Sequence, residues 1–204
     1  MKRILSHLAA SVLTLLLLAD FPSALADPPE ADARLLGLMK EEPTKGLIMM
    51  EVKLTEVGKT TPMGCPSISV DLESDTGTSR TVRTQKSPGL FGRTLDGATY
   101  GNTALLTPGN YIVKLVDCEK LVRLRGPFAR FTVVSGQIVN LGRLSIVFDL
   151  PVSGLIFPSH NKGNWTVGEM SPQAVASLGK LLPAVFSKAK KQYMIPIRKT
   201  PQPS

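Results

Sequence analysis

The fold is decided by one stretch of the chain, LLTPGNYIVKLVDC at residues 105–118. Its Pro108-Gly109 pair predicts a tight turn, because proline presets φ at the first central position and glycine accepts the positive φ of a type II turn at the second. Residues 111–116 are β-branched, aromatic or aliphatic apart from Lys114, a composition typical of a strand. The stretch therefore predicts a turn followed directly by a half-buried strand.

Tyr111 follows this turn at a spacing that resembles the tyrosine corner of immunoglobulin-like sandwiches. In such a corner the phenol hydroxyl bonds to backbone groups at the turn before a strand. Pro108, Gly109 and Tyr111 are therefore expected to form a structural corner and not a catalytic site.

Alternating apolar and polar residues predict further strands on both sides of this stretch. They lie at residues 47–57, 67–73, 78–84, 99–106, 128–134 and 137–148. The last two flank Ser135-Gly136, which favours a two-residue hairpin, and Gly142 predicts a bulge or a close crossing. The chain is predicted to be mostly β, with one antiparallel sandwich of immunoglobulin-like or prealbumin-like type over residues 46–150.

The first 26 residues have the three parts of a secretory signal. Lys2 and Arg3 precede an apolar run, and Ala24-Leu25-Ala26 supplies small residues for cleavage. The run is shorter than the about 20 apolar residues of a membrane span, and Asp20 interrupts it. We therefore expect a periplasmic or secreted protein without a transmembrane span after cleavage.

Length and charge describe a basic chain of modest size. The full chain has 204 residues and a formal charge of +8. Removing the predicted signal takes away 26 residues, two of them basic and one acidic, which leaves 178 residues and a charge of +7. That length suits one sandwich core with extensions. No nucleic-acid partner is expected, because the chain is exported and lacks aromatic residues interleaved with basic ones.

The segments outside the sandwich are predicted from their composition. Residues 27–45 carry Pro28-Pro29 and several acids, which is typical of a flexible leader or a marginal helical turn. Residues 151–170 are expected to be a turn-rich connector, since turn-forming residues dominate them.

The C-terminal part is predicted to begin as a helix. Over residues 171–193, apolar residues recur at helical spacing, with Ser171 as the cap and proline at the first helical position. Pro183 predicts a kink, because proline removes a backbone donor and clashes with the preceding turn. Residues 194–204 are rich in proline and are expected to form a disordered tail.

The two cysteines, Cys65 and Cys118, are predicted to form a disulfide, because thiols oxidise outside the cytoplasm. Closing a loop of that size stabilises a fold by about 4 kcal/mol in the chain-entropy model. By alternation Cys118 shares a face with Lys114, and Cys65 shares one with Ser67. Unless a bulge intervenes, the bridge is therefore expected at the surface, at strand ends.

Few residues offer chemistry, so we predict no catalytic residue, no metal site and no cofactor. After the signal the remaining histidine is His160, beside Ser159, and adjacent side chains point apart instead of forming a nucleophile–base pair. Asp71, Glu73 and Asp75 alternate in a way that a calcium site could use, but a solvated strand face explains the same spacing.

Basic residues gather near the C-terminus, where no acid follows Glu169. The cluster consists of Lys188, Lys190, Lys191, Arg198 and Lys199. These side chains could contact an anionic envelope surface, although lysines at a helix C-terminus also complement the helix dipole. A second basic group lies in the predicted loop at residues 119–127.

Three motifs together resemble the prealbumin-like and carboxypeptidase-regulatory-like sandwich modules of bacterial envelope proteins. They are Leu106-x-Pro-Gly-x-Tyr111-x-Val113, Phe131-x-Val133-x-x-Gly136 and Leu141-Gly142. The resemblance covers residues 46–150 and implies a fold and a location. Such modules are typically non-catalytic accessories, and their pattern contains no site residue to transfer.

Three functional hypotheses follow. The leading one is a non-catalytic binding or structural module that contacts an unknown envelope protein or anionic surface. The alternative is a small envelope hydrolase that uses His160 with a carboxylate such as Asp149 or Glu169. The third is an accessory that presents a sheet edge to a partner strand.

Overall fold

A computed structural model describes residues 28–65, 67–83, 99–119, 121–149 and 163–197. About half of these residues lie in strands and about a fifth in helices, so the predicted mostly β class is confirmed. The predicted signal, His160, Arg198 and Lys199 lie outside the described residues. In the part of the chain that is described, no helix has the length and apolar content that crossing a bilayer requires.

The helices lie near the two ends of the described chain, and nine consecutive strands lie between them. The helices are α1 (Pro28–Glu41), α2 (Pro172–Leu181) and α3 (Pro183–Ser187). The strands are β1 (Gly46–Glu56), β2 (Ile68–Ser74), β3 (Ser79–Arg83), β4 (Thr99–Leu106), β5 (Gly109–Cys118), β6 (Val122–Arg125), β7 (Ala129–Val133), β8 (Ile138–Phe148), β9 (Gly163–Gly168), β10 (Lys190–Lys191) and β11 (Ile195–Pro196).

The first sheet has the order β10-β8-β1-β4, with β9 also paired to β8. β1 runs antiparallel to β4 but parallel to β8, and β10 is also parallel to β8. The prediction of an antiparallel architecture is therefore wrong for this sheet. A parallel pair needs a long connection, and here five of the six strands of the second sheet, all except β11, lie between β1 and β8 along the chain.

The second sheet is antiparallel throughout and has the order β11-β7-β5-β2-β3, with β6 also paired to β5. The predicted hairpin between β7 and β8 is wrong, because these strands belong to different sheets. Residues 135–137 instead carry the chain from one sheet to the other. Gly136 N–H donates to the Lys45 carbonyl at 2.8 Å, and Leu47 N–H donates to the Gln137 carbonyl at 2.9 Å.

Buried side chains from both sheets form one hydrophobic cluster. Val52 and Leu144 from the first sheet and Val70 and Val113 from the second are all fully buried in it. Each such side chain contributes about 1.5–3 kcal/mol of burial free energy relative to an exposed position. Packing within this cluster therefore stabilises the fold.

A second cluster covers the other face of the first sheet. Leu47 and Met49 of β1 are fully buried there, against residues of all three helices such as Ala31, Leu178 and Val185. The alternation over residues 47–57 predicts one buried face for this strand. The helices bury the opposite face as well, which explains why this strand opens with four consecutive apolar residues.

Residues 28–41 form a helix, so the predicted flexible leader at 27–45 is wrong over this range. Ala31 is 3% exposed and belongs to the helical cluster. The buried Asp32 carboxylate accepts hydrogen bonds from Ala184 N–H and Val185 N–H, both at 2.9 Å. The helix is therefore held by contacts with a segment about 150 residues away, which no local pattern predicts.

Asp32→Asn should lower the free energy of unfolding by about 1–2 kcal/mol, because the carboxylate caps the first turn of α3. Denaturant unfolding of the variant measures the loss. The matched control is Glu30→Gln, which neutralises an exposed carboxylate in the same helix and should change stability little. Equal losses in the two variants would contradict a capping role for Asp32.

The C-terminal helices begin where the sequence places a cap. The Ser171 hydroxyl accepts from Ala174 N–H at 3.1 Å, and Pro172 is the first residue of α2. Glu51 of β1, which is 1% exposed, accepts from Ser171 N–H at 2.7 Å and from its hydroxyl at 2.9 Å. Leu182 has non-helical φ and ψ of −134° and 57°, and a separate helix starts at Pro183.

Three segment boundaries differ from those predicted. Helical structure ends at Ser187, short of the predicted end at 193, and 190–191 form β10. Within the predicted connector at 151–170, residues 163–168 form β9, and within the predicted loop at 119–127, residues 122–125 form β6. Each of these three strands pairs with β8 or β5. Pairing with a neighbouring strand therefore outweighs the turn-forming composition of these segments.

The predicted disordered tail at 194–204 is wrong for its first residues. Met194 is 3% exposed in the core between the sheets, and Ile195–Pro196 pairs with β7. The Trp165 indole N–H donates to the Ile197 carbonyl at 2.9 Å. Residues 190–197 thus connect β8 of the first sheet to β7 of the second.

The predicted disulfide between Cys65 and Cys118 is confirmed, but its expected surface position is wrong. Cys65 is 5% exposed and Cys118 fully buried in the core. Between β2 and β5, Asp71 is opposite Leu115 and the next pair is Leu72 with Val113, so β5 has a bulge at Lys114. The bulge reverses the alternation and turns Cys118 inward. Cys65 precedes β2, so strand alternation does not apply to it.

Candidate functional site

A cleft of about 260 Å³ lies between β3 and β4. Each is an edge strand among the described residues, since β3 pairs with β2 in the second sheet and β4 with β1 in the first. Residues 80–83 of β3, residues 103–107 at the end of β4, and Lys45 line the cleft. The cleft therefore lies where the described edges of the two sheets meet.

The floor and rim of the cleft differ in chemistry. Val82 and Leu106, which are 5% and 4% exposed, belong to the core between the sheets and form its apolar base. Arg80 lies on the same face of β3 as Val82, because side chains two residues apart in a strand share a face. Arg80 is exposed to solvent.

Three cationic residues line this cleft: Lys45, Arg80 and Arg83. By the same alternation, the Arg83 side chain lies on the opposite face of β3 from the side chains of Arg80 and Val82. The Lys45 ammonium forms an ion pair with Glu42, three residues before it. Neither arginine makes an ion pair with a carboxylate in the part of the chain that the structure describes. Among the described residues, the two arginines therefore carry positive charge without an ion-pair partner, and such charge attracts anions.

Most threonine hydroxyl groups at the cleft already form hydrogen bonds within the protein. Thr81 Oγ1 donates its proton to Asp71 Oδ1 at 2.6 Å. The Tyr111 hydroxyl donates to the Thr107 carbonyl at 2.8 Å, so in the 2.9 Å contact between the two hydroxyls Thr107 Oγ1 is the donor. Thr103 alone of the three lining threonines makes no side-chain hydrogen bond with described residues. The available donors are mainly the three cations.

The Pro108-Gly109-Tyr111 segment lies at one end of this cleft. The bond from the Tyr111 hydroxyl to the Thr107 carbonyl is the one expected of a tyrosine corner. Gly109 has a φ of 151°, and the Tyr111 ring stacks on Phe131 with centroids 5.6 Å apart. The corner fixes the direction in which the chain leaves β4 beside the cleft.

The lysines predicted as an anionic-surface contact lie elsewhere. Lys188, Lys190 and Lys191 are exposed, and the last two form β10 instead of continuing a helix. Lys191 Nζ is 3.7 Å from Glu169 Oε1, so this cation has a carboxylate partner. Their surface is separate from the cleft, on the opposite side of β8 and β1 from β4.

Glu169, one candidate acid or base of the hydrolase hypothesis, is engaged by neighbours. The Tyr193 hydroxyl donates to its carboxylate at 2.8 Å and lowers its pKa below the ordinary value, with a further contribution from Lys191. Asp149, the other candidate carboxylate, is exposed after β8. A lowered pKa makes Glu169 a weaker base, which disfavours the role that the hydrolase hypothesis gives it.

The three alternating acids of the calcium hypothesis have separate partners. Asp71 accepts from Thr81, Glu73 forms an ion pair with Lys114 at 3.2 Å, and Asp75 accepts from the Asn110 amide at 3.0 Å. Within the described ranges, no three His, Cys, Asp or Glu side chains come close enough to hold a metal ion.

Glu169→Gln should move the pKa of Tyr193 down toward its ordinary value, because the bond to Glu169 is the main cause of its elevation. Folded-state stability from Glu169 is present above the ordinary carboxylate pKa and is lost as pH falls through the lowered one. Stability from Tyr193 is present below the ordinary phenol pKa and is lost as pH rises through the raised one. NMR titration of the phenol measures the shift. An unchanged Tyr193 pKa in the variant would contradict this coupling.

Arg80, Arg83 and Lys45 were missed by sequence reasoning. Arg80 and Arg83 belong to a short polar strand that gives no functional motif, and Lys45 was assigned to the leader. The only local signal is that Arg80 alternates with the buried Val82, which places a cation on the inward side of a strand.

Comparison with known proteins gives little further information. No family model matches the chain, and no curated protein matches it. A solved leucine-rich repeat protein from Bacteroides thetaiotaomicron VPI-5482 is similar at 21% identity and a TM-score of 0.31. The match covers 48% of this chain and 12% of that one, and so low a structural score supports no statement about fold or function.

Proposed function

We propose that this protein is an exported, non-catalytic binding module, periplasmic or secreted, whose cleft between β3 and β4 holds an anionic group of a cell-envelope partner. One observation carries the proposal: Arg80, Arg83 and Lys45 line a single cleft, and only the lysine has a carboxylate partner among the described residues. A guanidinium is suited to such a site, since its rigid fork of donors matches the oxygens of an anion.

The proposed architecture is an immunoglobulin-like or prealbumin-like β-sandwich that carries a kinked C-terminal helical segment. Its support is the single cluster of buried residues drawn from both sheets, together with the tyrosine corner at Tyr111. Export is supported by the disulfide, because such bonds persist mainly in oxidising compartments.

The cleft is preferred to the lysine surface for two reasons. It is concave, so several donors can converge on one group, whereas Lys188, Lys190 and Lys191 follow one another along an exposed segment. In addition, Lys191 already has Glu169 as a partner. An exposed lysine with a partner contributes little to anion binding.

Binding of a sulfated or phosphorylated polyanion at low salt tests this assignment. The double variant Arg80→Gln, Arg83→Gln should bind at least about tenfold more weakly, because two charge-assisted contacts are lost. The matched control, Lys188→Gln with Lys190→Gln, removes the same charge and should stay within about twofold of the unmodified chain. The opposite order, with the lysine variant the weaker binder, would contradict the proposal.

A further inference from the structure

We propose that the outer face of the second sheet is a dimer interface, at which two copies of this chain pack face to face about a two-fold axis along β5. This surface is separate from the cleft between β3 and β4. The proposal is carried by the charges on this face, which are complementary to the same charges after a two-fold rotation.

The helices cover one of the two sheets. All three pack against the first sheet, where they form a cluster with Leu47 and Met49. The structure describes no helix on the outer face of the second sheet. Ile112 and Leu115 of β5 are only half-buried there. Aliphatic side chains on such a face lose exposure to water when a second surface covers them, which favours association.

The strand registers arrange the outer side chains of this sheet in rows. Residues opposite each other in neighbouring strands point to the same face. Two adjacent rows each have a carboxylate on β2, an aliphatic side chain on β5 and an arginine on β7 or β6, and all six residues are described. The rows are Glu73–Ile112–Arg130 and Asp71–Leu115–Arg125.

The charged side chains of these rows can bind a partner outside the chain. Arg125 and Arg130 are exposed and make no ion pair with a described carboxylate. Asp71 accepts a hydrogen bond from a threonine hydroxyl at 2.6 Å and keeps its negative charge. Glu73 forms an ion pair with Lys114 at 3.2 Å, but its side chain is 42% exposed. A carboxylate has two oxygens, so it can accept from a second donor.

A two-fold axis along β5 brings opposite charges of these rows together. Rotation about this axis lays β7 and β6 of one copy over β2 of the other and keeps each row at the same height along β5. Arg130 then faces the partner's Glu73, and Arg125 faces the partner's Asp71. Each contact is made twice, because a two-fold interface is isologous. The aliphatic residues of β5 lie near the axis and face their own copies.

The charge pattern also selects this axis over the other two-fold arrangement of the face. An axis across the strands would lay β6 and β7 of one copy over β6 and β7 of the other, so arginines would face arginines. Like charges across an interface oppose association. Asp117 lies near the proposed axis, where the Arg123 guanidinium donates to it at 2.8 and 2.6 Å and offsets its charge.

The size of the face predicts a weak, concentration-dependent dimer. The second sheet is five strands wide, which at the usual strand spacing is about 20 Å. A footprint of about 20 Å in each direction is smaller than the about 800 Å² that each partner contributes to a standard interface. Exposed ion pairs add little affinity and mainly fix the orientation. We therefore expect a dissociation constant in the micromolar range.

Charge reversal tests the complementarity. The measurement is sedimentation equilibrium of the chain without its predicted signal, at concentrations up to about 200 μM. Two double variants, Arg125→Glu with Arg130→Glu and Asp71→Arg with Glu73→Arg, place like charges opposite each other. Each should weaken dimerisation at least about tenfold. An equimolar mixture of the two variants restores every opposite-charge pair, so it should form a heterodimer about as tightly as the unmodified chain dimerises.

The matched control is Lys188→Glu with Lys190→Glu, which reverses two charges on a separate surface and should change dimerisation by less than about twofold. Thermal unfolding checks that each variant is folded. If the arginine substitutions in β2 prevent folding, Asp71→Asn with Glu73→Gln removes the same attraction and should weaken dimerisation about threefold.

Photochemical crosslinking tests the position of the axis without changing any charge. Benzoylphenylalanine in place of Ile112 should crosslink two copies through β5, because this residue faces its own copy in the dimer. A chain that stays monomeric to about 200 μM overturns the proposal. It is also overturned by a dimer that both charge-reversal variants leave intact, by a mixture of the folded variants that fails to associate, or by crosslinks that avoid β5.

Discussion

Replacing Gly142 with alanine is expected to lower the free energy of unfolding by about 3–5 kcal/mol. Gly142 has a φ of 77°, a conformation that residues with a Cβ rarely adopt. A Cβ at this position would overlap the Gly168 carbonyl oxygen and come within 2.8 Å of Tyr193 Cδ1. The substitution is therefore destabilising for two reasons, backbone strain and steric overlap.

The position of Gly142 makes this effect large. β8 has a bulge here, because Met49 is opposite Asn140 and Glu51 is opposite Arg143. The Asn140 side-chain oxygen accepts from Gly142 N–H at 2.9 Å and fixes the bulge. Immediately after it β8 pairs with β9, and immediately before it with β10. An alanine here would disturb three strands at once.

Denaturant or thermal unfolding measures the effect, and Gly179→Ala is the matched control. Gly179 is in α2, and apart from the helix's own backbone and the chain neighbours no atom lies within 4 Å of the place of a Cβ there. Alanine at this position should therefore stabilise the chain by about 0.5–1 kcal/mol. A Gly142→Ala protein whose unfolding free energy is within about 1 kcal/mol of the unmodified chain would contradict the bulge.

Removing the disulfide by the double variant Cys65→Ala, Cys118→Ala should cost about 4 kcal/mol. The two cysteines are 53 residues apart, so the bridge closes a long loop and restricts the unfolded chain. Both side chains are buried in the core, with Met63 Sδ 3.9 Å from Cys118 Sγ. The variant therefore loses packing as well as the cross-link.

Two unfolding measurements separate these contributions. The unmodified chain unfolded under reducing conditions loses the cross-link and keeps both sulfur atoms, so it should retain more stability than the double alanine variant. Equal stability of the oxidised chain and the double variant would contradict a structural role for the bridge.

Much of the strand pattern could be predicted because local alternation reports burial. The strand around Tyr111 and the cap at Ser171 depend on residues close in sequence, and such features need no knowledge of distant contacts. The corner likewise needs only the spacing from Thr107 to Tyr111.

The features that could not be predicted depend on distant contacts. Assignment of β7 and β8 to different sheets depends on Lys45 and Leu47 bonding to residues 136 and 137. The buried position of Cys118 follows from a bulge that alternation alone does not reveal. The helix at 28–41 depends on Asp32 reaching α3. In each case the partner lies far away along the chain.

The candidate site belongs to this second group. Lys45 precedes β1, the two arginines are in β3, and only the pairing of β1 with β4 and of β2 with β3 brings them to one opening. The predicted lysine cluster can be recognised from the sequence because its members are close together along the chain. A site formed by the edges of two sheets cannot be recognised in this way.

NMR titration of the labelled chain with a short phosphorylated polyanion tests the central claim most directly, because it locates the bound anion residue by residue. The proposed cleft predicts that amide signals of residues 80–83 and 103–107, and the Nε–H signals of Arg80 and Arg83, shift together and saturate at one affinity. Shifts confined to Lys188, Lys190 and Lys191, with the cleft signals unmoved, would contradict it.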